Sequence, residues 1–450
     1  MSAPRGEFSS KLGFLMAAAG SAVGLGNIWG FPTQVATNGG AAFLIVYLVL
    51  AFCLAYPALM AELIIGRHAK ANPVEALRSI AGSEVTARVG ALTGYAGILI
   101  SCMVLGFYSI LAGWMLSHTL ASATEFVGLA GLSEWFATHS IARSLTFTGI
   151  FMTLTISIIC GGVKDGIEKW CSRMMPSLLV ILVLLIAYVL TLDGANDGVR
   201  AYLVPDFGRV TDPKLIIGAM GQAFFSMSLG VGTMLIYGSY VSDRDNLVSL
   251  GRSVTLLDVG IAFIAGLLII PAMYVAQHNG VQIYDADGNL IQSARLIFSV
   301  LPALFDTMGG IGAVVSFAFF VFMSVAALTS TISMLEVPVA YAVENHDADR
   351  KLATILIGTA IFVLSVVIIL SAESLFNLIA VAATQYGEPI VGLMMCIFAG
   401  WVLQRNKLLE EIRKGNENAE HGWFWKIWPG YVRYVCPAAI LTVFIHSFLN

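Results

Sequence analysis

A run of glycines, one acid and two adjacent hydroxyls, all set inside apolar stretches, are the residues of this chain whose types and spacing could do chemistry. The segment 13–32 is apolar and long enough to cross a bilayer, yet Gly20, Gly24, Gly26 and Asn27 fall at its middle. Glycine weakens a helix by about 1 kcal/mol relative to alanine. A bare backbone group in hydrocarbon costs several kcal/mol more, so a break at membrane depth is tolerated only where it lines a cavity or is buried in protein. Carbonyls freed by such a break can hold a cation, and the N–H groups of the following half-helix can hold a carboxylate. A small zwitterion together with sodium is the ligand set this chemistry suits. The stretch 221–232 repeats the pattern, with Gln222, Ser226, Ser228, Gly230 and Gly232 again placing small and polar residues at mid-span.

Asp258 lies inside another apolar stretch, where an ionisable side chain is expensive and usually functional. Thr329 and Ser330 are neighbouring hydroxyls in an apolar helix. They suit a hard cation, or else they bond back to the preceding turn. Glu388 reads as a solvated acid on a vestibule wall, with contact to a substrate amine or carriage of a proton as the alternatives. Glu62 and Glu336 read as packing braces near cytoplasmic helix ends. The six cysteines lie in or beside apolar runs without metal spacing, as small buried hydrophobes do. No metal-spaced His/Asp/Glu cluster, Gly-x-Ser-x-Gly or phosphate loop occurs, so neither an enzyme nor a nucleic-acid partner is expected.

The elements that must position these residues are membrane spans. Hydrophobic residues make up 58% of the chain, charged residues 12%, and the mean hydropathy is +0.84, against about 25% charged residues in soluble domains. Windows of about 20 apolar residues give an all-α polytopic protein of eleven spans, at 12–37, 41–66, 88–122, 143–160, 166–192, 213–240, 245–278, 309–343, 350–370, 375–403 and 430–449. With the N-terminus in the cytoplasm, nineteen Lys and Arg lie on or near the inner side and five on the outer. This positive-inside bias places the C-terminus outside. The short polar leader shows no small-residue cleavage site, and no removable signal peptide is expected. The outer stretch 293–305 is amphipathic with a proline break. It reads equally as a cap over an outer vestibule and as a helix resting on headgroups. Interruptions five spans apart suggest a 5+5 inverted repeat, 12–192 and 213–403, with 430–449 added, in one domain. Close packing of small residues is the alternative for either glycine-rich span alone.

The motifs Ser21-Ala22-Val23-Gly24-Leu25-Gly26-Asn27-Ile28-Trp29 in span 1 and Gly221-Gln222-Ala223-Phe224-Phe225-Ser226-Met227-Ser228-Leu229-Gly230 in span 6 carry a specific likeness. Span 8 adds Ala326-Ala327-Leu328-Thr329-Ser330, and span 5 adds the pair Gly166 and Pro176. From about Arg5 to span 10 the chain resembles the neurotransmitter:sodium symporter family, which includes bacterial leucine transporters. The resemblance implies two sodium ions. The first would be held by Ala22, Asn27, Ser226 and Asp258 with the substrate carboxylate, and the second by Gly20, Val23, Ala326, Thr329 and Ser330. It also implies a substrate pocket of Ser21, Ala22, Gly24, Gly26, Val104, Tyr108, Phe225, Ser226, Ser228, Val231, Ser330 and Met334. Monoamine carriers of the family have aspartate at the Gly24 position, so glycine there implies a substrate bringing its own carboxylate, which the Tyr108 hydroxyl would touch. The side-chain end is mainly apolar and without fixed charge, as a neutral, hydrophobic amino acid requires.

Tyr47, Gln222 and Ser226 match chloride-site positions in the family, but Asp258 already supplies a negative charge, so chloride independence is expected. The family's outer ion pair is replaced by Gly30 and Ala380, which leaves closure to packing of Tyr108 against Phe225. At the inner gate Arg5 is expected to pair with Glu344, and Phe8 stands where tryptophan is usual. The function implied is sodium-coupled import by alternating access in a prokaryotic inner membrane, as a monomer or weak dimer. The alternatives are transport of a compatible solute or modified amino acid, and sensing without transport.

Overall fold

The computed structural model describes residues 6–283 and 296–449, and these are helical throughout with no strand among them. Among the described residues, eight helices are long and apolar enough to cross a membrane: Ala41–Ala69, Glu84–Phe126, Ile141–Cys160, Val163–Val189, Leu247–His278, Gly309–His346, Arg350–Leu370 and Ser374–Val402. They are spans 2–5 and 7–10. Span 1 is a pair, Lys11–Ala22 and Gly26–Thr37, bent by 52° at the break between them. Span 6 falls below that length because it is broken into Pro213–Ser226 and Thr233–Ser239. The last expected span is part of one continuous helical run over 423–449, with a π-helical turn at Tyr431–Val435.

Both breaks have local causes. Ser10 caps the first half of span 1 through the Gly13 N–H, and the helix ends where Val23 turns extended at φ −78° and ψ 98°. The chain re-enters through one wide π-helical turn, Gly26–Gly30, and Pro32 opens the second half, where a missing N–H is harmless. In span 6 Asp212 caps the start, and three residues then adopt left-handed backbone: Ser228 at φ 52°, Gly230 at 81° and Gly232 at 85°. Such φ values end a right-handed helix.

Span 1 packs against spans 5, 7 and 8 and the inner half of span 6, so its break is enclosed by protein rather than lipid. Four short helices are not evident in the hydropathy: Pro73–Ser79, Ala130–Ala137, Ala195–Leu203 and Arg405–Arg413. The outer segment forms a short turn, Leu296–Val300, and the helix Leu301–Thr307, with Leu301, Leu304 and Phe305 buried. Phe305 packs on Phe319 and Phe298 stacks over Phe320, so the described part rests against span 8. Residues 293–295 lie outside the described residues, as does Arg5 of the expected inner gate. Glu344 accepts bonds from Asn72 N at 2.7 Å and Nδ2 at 2.9 Å. Phe8 sits edge-on to Phe14, Tyr237 and Tyr240.

Beyond the end of span 10, Glu411 ties the C-terminal end of span 2 to Arg405–Arg413. Its carboxylate faces Arg67 at 3.2 Å, His68 at 3.3 Å and Lys414 at 2.7 Å. Burial alone would push the Glu411 carboxyl up, but the bonds from His68 and Lys414 and the charges of Lys414 and Arg67 outweigh it and hold it at about 2. Its folded value lies below its ordinary 4.5, so the stability it contributes is present above pH 4.5 and is lost as pH falls toward 2. Thermal melts of wild type and Glu411→Gln are expected to differ at pH 7 and to converge on acidification. A gap that widens with acid would contradict this.

Candidate functional site

Span 1, span 6 and span 7 bring three expected residues into bonding contact. Asn27 Nδ2 donates to Asp258 Oδ1 at 2.7 Å and to the Asp258 carbonyl at 3.1 Å. Ser226 Oγ lies 3.0 Å from both carboxylate oxygens of Asp258. Tyr47 OH reaches Ser226 Oγ at 3.4 Å, and Gly24 N donates to Asn27 Oδ1 at 3.4 Å. All five residues but Gly24 are at most 1% exposed. Among the described residues no lysine or arginine bonds to Asp258, and a buried acid without a basic partner invites a cation. Gln222 turns elsewhere: its Nε2 donates to the Gly26 carbonyl at 2.8 Å.

A second oxygen cluster forms where span 8 crosses the break. Ser330 Oγ lies 3.4 Å from each of the carbonyls of Gly20, Ser21 and Ala326, and Thr329 Oγ1 donates to the Ala326 carbonyl at 2.9 Å. The back-bonding expected of such hydroxyls is present, and Ser330 additionally reaches across to span 1. The approach depends on Gly20, where a Cβ would stand 3.0 Å from Thr329 Cβ. Val23 is fully buried at the break and Ala22 nearly so.

Between the clusters lies a small cavity of about 20 Å³. Every expected substrate residue lines it except Ser226, which is turned to Asp258, and the lining adds Leu25 and Glu388. Leu25 N donates to Tyr108 OH at 3.1 Å, so the Tyr108 hydroxyl holds the start of the second half-helix. At Gly24 a Cβ would come within 2.4 Å of Ser330 Oγ and 2.7 Å of Tyr108 OH. Ser21 Oγ is buried with no hydrogen-bond partner, which leaves a polar atom in this wall for a ligand.

Outside this cavity opens a larger one of about 460 Å³, and Gly30 and Ala380 both line it. The positions of the missing ion pair therefore face one vestibule. Phe225 and Glu388 line both cavities and so form the partition between them. No ring contact joins Tyr108 to Phe225 among the described residues, so their expected closure by packing is not formed here. Two acids differ from expectation. Glu388 is 4% exposed, a buried wall residue rather than a solvated one, because the Glu388 carbonyl is packed against Gly230 of span 6. Glu62 Oε1 accepts the Gly230 N–H at 2.8 Å, so it holds the span 6 break instead of bracing a helix end. Glu336 is a brace as expected, bonded to Tyr240 OH at 2.7 Å and Arg350 Nη2 at 2.5 Å.

The model of the Sodium:neurotransmitter symporter family matches residues 5–148 and 139–450. The chain belongs to that family. An uncharacterized sodium-dependent transporter of Bacillus subtilis is 34% identical over 462 residues, covering 98% of this chain and 97% of the relative. The sodium-dependent serotonin transporter of Drosophila melanogaster is 26% identical, covering 99% and 77%. Among solved structures, MhsT in complex with L-phenylalanine is 35% identical with a TM-score of 0.84, covering 99% of this chain and all of that one. As a sodium:neurotransmitter symporter family member, the chain is an integral membrane transporter rather than an enzyme, and sodium dependence is the common property of its bacterial relatives.

Proposed function

We propose that this protein imports a neutral, hydrophobic amino acid with sodium by alternating access. The observation that carries this reading is the Asp258 carboxylate, buried with Asn27 and Ser226 and without a basic partner among the described residues, beside a break that lines a small cavity. One sodium would sit with Ala22, Asn27, Ser226 and Asp258, and a second with Gly20, Val23, Ala326, Thr329 and Ser330. The substrate would lie between them, its carboxylate near Tyr108 and Gly24 and its side chain toward Val104, Phe225, Val231 and Met334. L-phenylalanine bound to MhsT supports that substrate class. A carboxylate shared between substrate and sodium makes each bind better in the presence of the other, which is the coupling a symporter needs. The breaks at 23–25 and 227–232 supply hinges for the two halves. Eleven spans in two inverted repeats, an inner-membrane location with a cytoplasmic N-terminus, and a monomer or weak dimer complete the proposal.

The test is a thermal-shift screen of amino acids and betaines on purified protein in sodium and in potassium. Stabilisation by a neutral amino acid only in sodium is expected, and uptake into proteoliposomes should follow the same ligand. Binding without accumulation would leave a sensor, and a betaine response would replace the amino acid. Asp258 already brings a fixed negative charge, so uptake at constant sodium is expected to be unchanged when gluconate replaces chloride. Chloride-stimulated uptake would overturn that part.

A further inference from the structure

The side-chain end of the smaller cavity is mainly apolar. Val104, Phe225, Val231 and Met334 line it, with Ser228, whose hydroxyl is spent on the Ser21 carbonyl at 3.1 Å, and with Glu388. Glu388 is 4% exposed, no hydrogen bond to its carboxyl is found among the described residues, and its oxygens are not among the fully buried unpartnered atoms, as expected of a group that opens onto a cavity. The nearest acid in the same region is Glu62, whose Oε1 is taken by Gly230 N and whose Oε2 is itself buried and unpartnered. No lysine, arginine or histidine lines this cavity. The place of Glu388 is set by its backbone: its carbonyl lies 2.1 Å from where a Cβ on Gly230 would stand, next to Val231 in the break of span 6. Tyr108 and the Leu25 N–H, which face a substrate carboxylate under the reading above, belong to the break of span 1.

A buried carboxyl without a donor is costly, and the cost is removed when a ligand brings one. We infer that Glu388 determines specificity by accepting a hydrogen bond from an N–H or O–H at the tip of a neutral substrate side chain. This rests on the amino-acid site proposed above and narrows it to side chains with an apolar body and one donor, as in a phenol or an indole, which seek a partner when buried. The wall beside it is mainly hydrocarbon and suits the body, while the Glu388 carboxyl suits the tip. A side chain lacking the donor leaves Glu388 unpaired, and a site built to bond a donor discriminates strongly against analogues without it.

The test measures sodium-dependent uptake into proteoliposomes, with L-tyrosine, L-tryptophan, L-phenylalanine, L-leucine and L-lysine each competing against the best substrate of the series. Wild type is expected to prefer tyrosine or tryptophan over phenylalanine by about tenfold or more. Glu388→Met removes the acceptor at similar volume and should bring that ratio to within about twofold. Glu388→Gln retains an acceptor and should keep the preference, and it stands in if the methionine variant fails to fold. An equal or reversed wild-type ratio overturns the inference, as does a ratio that survives Glu388→Met. A wild-type preference for lysine also overturns it, because the carboxylate would then be a counter-charge. Sodium-dependent uptake with a flat series removes this inference alone, whereas no sodium-dependent uptake of any of the five removes the underlying reading as well.

Discussion

Replacing Asp258 by alanine is expected to abolish sodium-dependent ligand binding while leaving a folded protein. The carboxylate is the partner of Asn27 Nδ2 and of Ser226 Oγ. Its removal takes the charged acceptor from both, leaving Asn27 Nδ2 the carbonyl of residue 258 and Ser226 Oγ the Tyr47 hydroxyl, and takes away the negative charge that would balance a sodium ion. Removing one partner of a buried ion pair costs about 3–5 kcal/mol, and about 4 kcal/mol corresponds to roughly a thousandfold weaker binding. Asp258→Asn keeps the shape and one acceptor and should lose less, with its main effect on the sodium concentration for half-saturation. The measurement is a sodium titration of ligand-induced stabilisation for wild type and both variants. Unchanged half-saturation in Asp258→Ala would mean that the ion sits elsewhere, and the site as assembled here would fall with it.

The largest expected effect on stability comes from Gly230→Ala. The residue has φ +81°, and the added methyl would stand 2.1 Å from the Glu388 carbonyl oxygen and 2.8 Å from its carbon. Left-handed backbone costs a residue with a Cβ about 1–2 kcal/mol. The clash is with main chain, so span 10 must move or the break of span 6 must change shape. The same residue gives its N–H to Glu62, and a shift would break that buried bond too. A total of about 3 kcal/mol or more is expected, among the larger single-site losses. Gly221→Ala is the control, because a Cβ there meets nothing within 4 Å and lies in the regular helix Pro213–Ser226. It should be neutral or stabilising by up to about 1 kcal/mol. Melting both in the same detergent checks the pair, and equal melting temperatures would contradict the close approach of spans 6 and 10.

The difference between the two glycines is not visible in the chain as written. Both sit in one motif, and only the distance to span 10 separates them. The same holds for the acids. Asp258 is recognisable from its apolar surroundings alone, and so is the strangeness of Glu388. Whether an acid in such a helix meets water, lipid or a ligand depends on the neighbour that covers it. Glu388 is covered by a stretch of span 6 more than 150 residues earlier, and Glu62 by the same stretch 168 residues further along. Span 1 in turn supplies Asn27 to an acid 231 residues away.

What the sequence determined by itself was local. The places and approximate limits of the spans follow from apolar run length, because hydrocarbon forces every backbone group to be satisfied within its own helix. The breaks at 23–25 and 227–232 follow from glycine and small polar residues that weaken a helix over a few positions. Tertiary structure decided what those breaks enclose: which carbonyls meet Ser330, that Gly30 and Ala380 share a vestibule, that the partition is Phe225 with Glu388, and that Glu62 holds a turn. The reason is physical. Helix formation is settled by neighbours within four residues, whereas burial and hydrogen-bond partners across a bundle are settled by packing between segments that sequence spacing does not relate.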